Sequence, residues 1–199
     1  MTGIAEAGAN AHEIRLETPR LILREHRAGD LAPLHAILSD PAATWYLPDM
    51  YKRDIAETEA YLRSVMRDAE AAMRLRFNLI AEDRATGEVL GSIGLHAVDS
   101  APDGAHYAMG YFLRPESWNR GLATEAARAA LAFIFSANAW RVSAACLAEN
   151  LGSRRVLEKC GMTQEGLLKA HTWHDGHLKD CAVYGILKEE YGGGPCSGK

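Results

Sequence analysis

The chain carries little that would tie it to nucleic acid, to a membrane or to a metal. Its 22 lysines and arginines are outnumbered by 26 acidic residues, for a formal net charge of −4. That balance gives no general attraction to polyphosphate or anionic lipid. No apolar run approaches the roughly 20 residues that span a bilayer. The opening segment, MTGIAEAGANAHE, lacks the basic stretch and apolar centre of a secretory leader. The four cysteines, Cys146, Cys160, Cys181 and Cys196, show none of the close spacings of a zinc knuckle or redox motif. Reduced thiols and a cytoplasmic setting follow as the default.

What is present suits one compact domain. The chain has 199 residues, 48% of them hydrophobic and 24% charged, which is enough apolar side chain for a sizeable core. The domain is expected over 14–191. Flexible tails are expected at 1–13 and at the Gly-rich 192–199, which cannot bury enough to order themselves.

Arg20 to Arg24 alternates charged and apolar residues and predicts an edge or half-buried strand. Asp30 is placed to cap a helix beginning at Leu31, with Pro41 as its stop. A second helix is predicted over Ile55 to Ala72. Strands follow at Phe77 to Glu82, Glu88 to His96 and His106 to Leu113. An Ala-rich helix then runs to about Ala137, followed by a strand at Arg141 to Leu147 and a short helix at Ser153 to Lys159. Gly161 suits the left-handed cap position of that helix. The chain closes on a hairpin, Glu165 to His174 and His177 to Leu187, around the strong turn signal Asp175-Gly176. Mixed helices and strands with antiparallel hairpins and one strand-to-helix crossover define an α+β or α/β domain around one sheet.

Two motifs carry chemistry. In Arg120-Gly121-Leu122-Ala123-Thr124 a tight turn opens a helix whose first N–H groups lack partners and whose dipole is positive there. That is a phosphate cradle, although the glycine alone is better explained as a plain loop residue before a buried helix. The motif is neither a Walker loop nor a dinucleotide fingerprint. Asn150 and Ser153 precede the short helix, where such residues ordinarily cap.

Together with Thr18 to Arg24, Gly110-Tyr-Phe-Leu113, Trp118 to Ala126, Asn150 to Gly161, Glu165-Gly166, Asp180, Tyr184 and Glu190-Tyr191, these motifs make the chain resemble the GNAT superfamily of N-acetyltransferases from about Leu16 to Tyr191. The likeness is greatest to its Rim-type branch, which acetylates N-termini of ribosomal proteins and, in related members, small amines. The resemblance implies an α+β GNAT fold: a mixed, mostly antiparallel central sheet splayed at its middle, with helices on both faces. It implies acetyl-CoA as cosubstrate, with no metal. The backbone of Phe112 and Leu113 would bond the pantetheine amides. The N–H groups of Arg120, Gly121, Leu122, Ala123 and Thr124 would hold the pyrophosphate, and Asn150 and Ser153 would line the thioester end. The acceptor would be a primary amine, with a ribosomal or other protein N-terminus favoured. No nucleic-acid or membrane partner is implied, and a homodimer is left open.

Two positions depart from the wider family. Trp118 stands where many relatives have Arg or Gln. Leu157 stands where many carry a Tyr that protonates the leaving thiolate. Ser153 is therefore the acid candidate. His106 is the base candidate, because imidazole titrates near neutrality; a water chain is as good an alternative, since Ala108 replaces a Glu of some relatives. His171, His174 and His177 read as solvated hairpin residues rather than a metal site. Trp45, Tyr46 and Tyr51 either cover the acceptor pocket or pack under a loop. The rival functions are a small-molecule amine or amino-acid acetyltransferase, a CoA-binding sensor without turnover and a nucleotide-binding regulatory domain.

Overall fold

The computed structural model describes residues 13–192. The tails expected at 1–13 and 192–199 lie outside the described residues, apart from Glu13 and Gly192, and so does Cys196. Eight strands form one sheet in the order β1-β2-β3-β4-β5-β6-β8-β7. They are β1 (Arg15–Glu17), β2 (Leu21–Glu25), β3 (Arg76–Asp83), β4 (Val89–Ala101), β5 (Gly104–Leu113), β6 (Ala139–Leu147), β7 (Thr163–His174) and β8 (His177–Leu187). The helices are α1 (Leu31–Leu38), α2 (Pro41–Thr44), α3 (Ile55–Glu70), α4 (Leu122–Ala137) and α5 (Leu151–Lys159). No helix among the described residues is long and apolar enough to cross a membrane.

All neighbouring strands run antiparallel except β5 and β6, which are parallel and joined through α4. That exception creates the site. The two strands pair only from Ala105 opposite Ala139 to Ala108 opposite Ser143. Beyond that point β5 continues beside β4 as far as Leu113, while β6 continues beside β8 as far as Leu147. A wedge opens between them, and the sheet is splayed at its middle.

Each face of the sheet has its own core. Helix α4 is Ala-rich where it matters: Ala126, Ala127 and Ala130 are buried and let the helix lie close on the strands, with Leu131, Ile134 and Phe135 filling the flanks. On the other face α1 and α3 bring Leu34, Leu38, Leu62 and Val65 onto Ile80, Val89 and Phe112. Strand β5 serves both by its period of two: Tyr107, Met109 and Leu113 join the α4 core, and Phe112 joins the other.

Three sequence expectations are corrected. The Arg20–Arg24 strand is not an edge: β2 lies between β1 and β3, and all five of its residues are buried. Its charges are compatible with burial because they are paired. Arg24 bonds Asp30 through both terminal nitrogens (2.9 and 2.8 Å) and Glu82 at 2.6 Å, and Arg74 grips Glu25. Asp30 therefore does not cap α1 with its side chain; it accepts from Arg24 and from the Arg27 N–H. Pro41 does not end α1, which stops at Leu38. It opens α2, with Asp40 as the N-cap accepting from Ala42 N, as suits proline's missing donor.

Candidate active site

The turn entering α4 has two residues in left-handed backbone, Asn119 (φ 57°) and Gly121 (φ 77°). Gly121 is the N-cap, and no side chain bonds the end of the helix. The first intrahelical bond is Glu125 N to Gly121 O. The N–H groups of Leu122, Ala123 and Thr124 thus face out of the helix end with the positive pole of the dipole. Glu125 sets this geometry: its carboxylate accepts from Thr18 Oγ1 (2.7 Å), Arg20 N (2.8 Å) and Arg20 Nε (2.7 Å), while Arg20 also donates to Arg120 O. Burial works against the ionised carboxylate, but these donors hold its pKa below the ordinary value. Arg120 itself is exposed. An anionic group of phosphate size fits this end by chemistry.

From Met109 onward β5 has a strand neighbour only on the β4 side, so the side facing the wedge is open to another backbone-like partner. Leu113 O accepts the Trp118 indole N–H at 2.8 Å. Trp118 therefore braces the turn from the strand end, a role its position in the motif did not reveal.

At the head of α5, Asn150 is a cap: Oδ1 accepts from Ser153 N at 3.0 Å. Ser153 Oγ lies 3.0 Å from Tyr111 Oη, and the phenol also reaches Ser153 O at 3.2 Å. Burial raises the Tyr111 pKa. Burial also pushes the Cys146 thiol up, partly offset by its hydrogen bond with Ser153. These three side chains come together where the wedge meets α5. Tyr111 was missed as a site residue, although it lay inside the quoted Gly110-to-Leu113 segment. The signal was the alternation of β5, which sends Tyr111 to the α4–α5 face. Leu157 is buried in the core.

His106 lies on β5 in the paired stretch, two residues before Ala108, with Nε2 at 2.8 Å from Ser143 Oγ. Burial, then the nearby Arg141 charge, lower its pKa from the ordinary 6.5. Strand alternation puts His106 with Ala108 and Gly110 on the face opposite Tyr111. The structure does not bring His106 and Ser153 together; they flank the wedge from its two faces. Gly110 is exposed, and a side-chain carbon built there would meet nothing within 4 Å.

The hairpin β7–β8 overhangs the wedge, because its residues His177–Asp180 run past the last β6 pair, Leu147 with Cys181. Asp175 and Gly176 at its tip both have positive φ, as the Asp-Gly signal requires. The tip meets the loop after α2. His174 is 5% exposed and donates Nε2–H to Trp45 O at 2.5 Å; its ring meets Trp45 edge-on and stacks on Tyr46. The expectation of solvated hairpin histidines fails for His174 because this contact closes over it, while His171 and His177 are exposed. Between hairpin and loop lies a hollow of about 440 Å³, lined by Trp45, Pro48, Tyr51, Trp173, His174 and Asp175 among others. Among the described residues no group of three or more His, Cys, Asp or Glu could hold a metal ion.

Comparison with known proteins agrees with this geometry. The family model described as "Acetyltransferase (GNAT) domain" matches residues 20–163. The uncharacterized N-acetyltransferase YoaA of Bacillus subtilis is 30% identical over 174 residues, covering 87% of this chain and 96% of that protein. Among solved structures, the ribosomal-protein-S5-alanine acetyltransferase of Vibrio fischeri has a TM-score of 0.75 at 19% identity, over 89% of this chain and 98% of that one. The spermidine N-acetyltransferase of Vibrio cholerae, in complex with CoA and spermine, has a TM-score of 0.76 at 21% identity, over 87% and 99%. At those identities the two structures speak for the fold. The chain belongs to the GNAT family of acetyltransferases. It is an N-acetyltransferase that uses acetyl-CoA.

Proposed function

We propose that the enzyme acetylates the N-terminal α-amine of a protein or peptide. The observation that carries this reading is the character of the acceptor side. The hollow beneath the hairpin is walled by indole, phenol and proline rings, and Asp175 is the one carboxylate among its lining residues. Two of the nearby acids that could have drawn in a polycation are engaged: Asp40 caps α2, and Glu57 pairs with Arg53. The base candidate, His106, is a weak one with a lowered pKa. An α-amine, with a pKa near 7.7–8.0 against about 10.4 for lysine, supplies hundreds of times more neutral nucleophile at pH 7. It needs no strong base. The Vibrio fischeri neighbour acts on a ribosomal protein by its name, and the Vibrio cholerae neighbour on a polyamine.

In this reading the N–H groups of Arg120 to Thr124 hold the pyrophosphate of acetyl-CoA, with Arg120 adding charge. The pantetheine arm lies in the wedge and bonds the open side of β5, to which the backbone groups of Tyr111 and Leu113 point while those of Phe112 face β4, leaving Leu113 O to Trp118. The thioester sits beside Asn150 and Ser153. The amine arrives on the Gly110 face and attacks the carbonyl directly, since a thioester is already activated. Nitrogen sheds its proton to His106, directly or through water. The carbon–sulfur bond breaks with its electron pair on sulfur, and Ser153 Oγ supplies the proton from the opposite face. The deciding experiment is kcat/KM across short peptides with free or blocked N-termini, beside polyamines and aminoglycosides. Free N-termini are expected to lead. A small amine that beats every such peptide by orders of magnitude overturns the protein-acceptor reading.

A further inference from the structure

We infer that Tyr111 is a positioning residue for proton delivery to the departing thiolate, acting through Ser153. This rests on the assignment of Ser153 as the acid. A lone serine is a poor acid: an alkanol gives up its proton reluctantly, and its hydroxyl rotates freely, so the single hydrogen can turn to any acceptor. Two contacts remove that freedom. The Asn150 cap fixes the Ser153 backbone through its N–H, and Tyr111 Oη sits 3.0 Å from Ser153 Oγ. Between a phenol and an alkanol, the phenol is the more acidic and hence the better donor, and the alkanol oxygen is the better acceptor. The phenol's single hydrogen has two acceptors on this residue, Ser153 Oγ at 3.0 Å and Ser153 O at 3.2 Å; turned to the nearer oxygen, Tyr111 O–H donates into Ser153 Oγ. The Ser153 hydrogen is then left to point elsewhere, and donation into its oxygen polarises it toward giving that hydrogen up.

The phenol is itself well anchored. It comes from β5, a strand held by β4 along its length, and its ring packs against the α4 core. Its second neighbour, Ser153 O at 3.2 Å, belongs to the same residue, so the phenol tracks the head of α5 as a unit. Burial keeps it protonated, as a donor must be. The next turn of α5 offers no second hydroxyl, because Leu157 stands there, buried in the core. Proton balance is simple: Ser153 gives its hydrogen to sulfur as it takes one from solvent in the same motion, so no alkoxide stands beside the phenol and Tyr111 keeps its own, while nitrogen's proton leaves on the other face.

The test is a double-mutant cycle of Tyr111→Phe and Ser153→Ala. It is read by thiol release both with the best acceptor of the panel and with water as acceptor, since leaving-group protonation is common to both. Tyr111→Phe keeps the ring and its packing. It is expected to lower kcat about tenfold, the size of one oriented hydrogen bond, with KM for acetyl-CoA within about twofold and Tm near that of the parent. In the Ser153→Ala background it is expected to do nothing further. A parental kcat in Tyr111→Phe, or a full extra loss in the Ser153→Ala background, overturns the inference. If Ser153→Ala keeps the parental kcat, the acid assignment has failed on its own. A loss in Tyr111→Phe would then mean that the phenol acts without Ser153.

Discussion

Replacing Gly121 by valine separates the fold of the pyrophosphate turn from its function. Gly121 has φ 77°, and a Cβ there would meet only Arg20 Nη2, at 3.5 Å. Space is available, so the cost is backbone strain alone. An L-residue in the left-handed region loses roughly 1–2 kcal/mol, and a β-branched one sits at the upper end. At about 2–4 °C per kcal/mol for a domain of this size, the free variant should melt about 2–8 °C lower. Acetyl-CoA at about 100 times its dissociation constant stabilises the parent by about 2.7 kcal/mol, or about 5–11 °C. In the variant the turn relaxes out of the left-handed region, the N–H groups of Leu122 to Thr124 lose their common aim, and most of that shift should vanish. Thermal melts of both proteins with and without acetyl-CoA read the two effects separately. A variant that melts lower yet keeps the full ligand shift would refute a pyrophosphate site at this turn.

Burial pushes the His26 pKa down to about 4, against 6.5 in an unfolded chain. Between those values the unfolded state binds the extra proton, so stability is full above pH 6.5 and is lost as pH falls toward 4, by on the order of 3 kcal/mol. Urea unfolding at pH 5 and pH 7 should show this slope, and His26→Gln should flatten it. The lowered pKa of His106 implies that kcat/KM, expressed per neutral amine, has an acid limb that inflects below pH 6.5; an unchanged limb in His106→Gln would assign the base to water. The Cys146 thiol beside Ser153 is pushed up in pKa, which makes it a poor nucleophile. Mass spectrometry after incubation with acetyl-CoA alone should therefore show the unmodified chain, and an acetyl adduct that chases to an amine would contradict direct transfer.

Much of the architecture was legible because it is local. The Asp175-Gly176 turn, the Ala-rich α4 and the glycine at the head of that helix each follow from residues close in sequence. The errors came where distant partners decide. Arg24 and Glu25 look like solvent-facing charges until Asp30, Glu82 and Arg74 are beside them. His174 looks like a hairpin surface residue until Trp45, 129 positions away, covers it. The Tyr111–Ser153 pair spans 42 positions and links two quoted segments that nothing in the sequence joins. The family resemblance supplied the cosubstrate, yet the acceptor side is built from loop, hairpin tip and strand face together, and no single stretch announces it.

The central claim, transfer to an α-amine, is tested most directly by one peptide that carries both kinds of amine. A short peptide with a free N-terminus and an internal lysine would be incubated with the enzyme and acetyl-CoA at pH 7. The acetyl group would then be located by fragmentation mass spectrometry. The account predicts a single acetyl on the N-terminal nitrogen. Acetylation of the lysine side chain, or an untouched peptide beside rapidly acetylated spermidine, would contradict it.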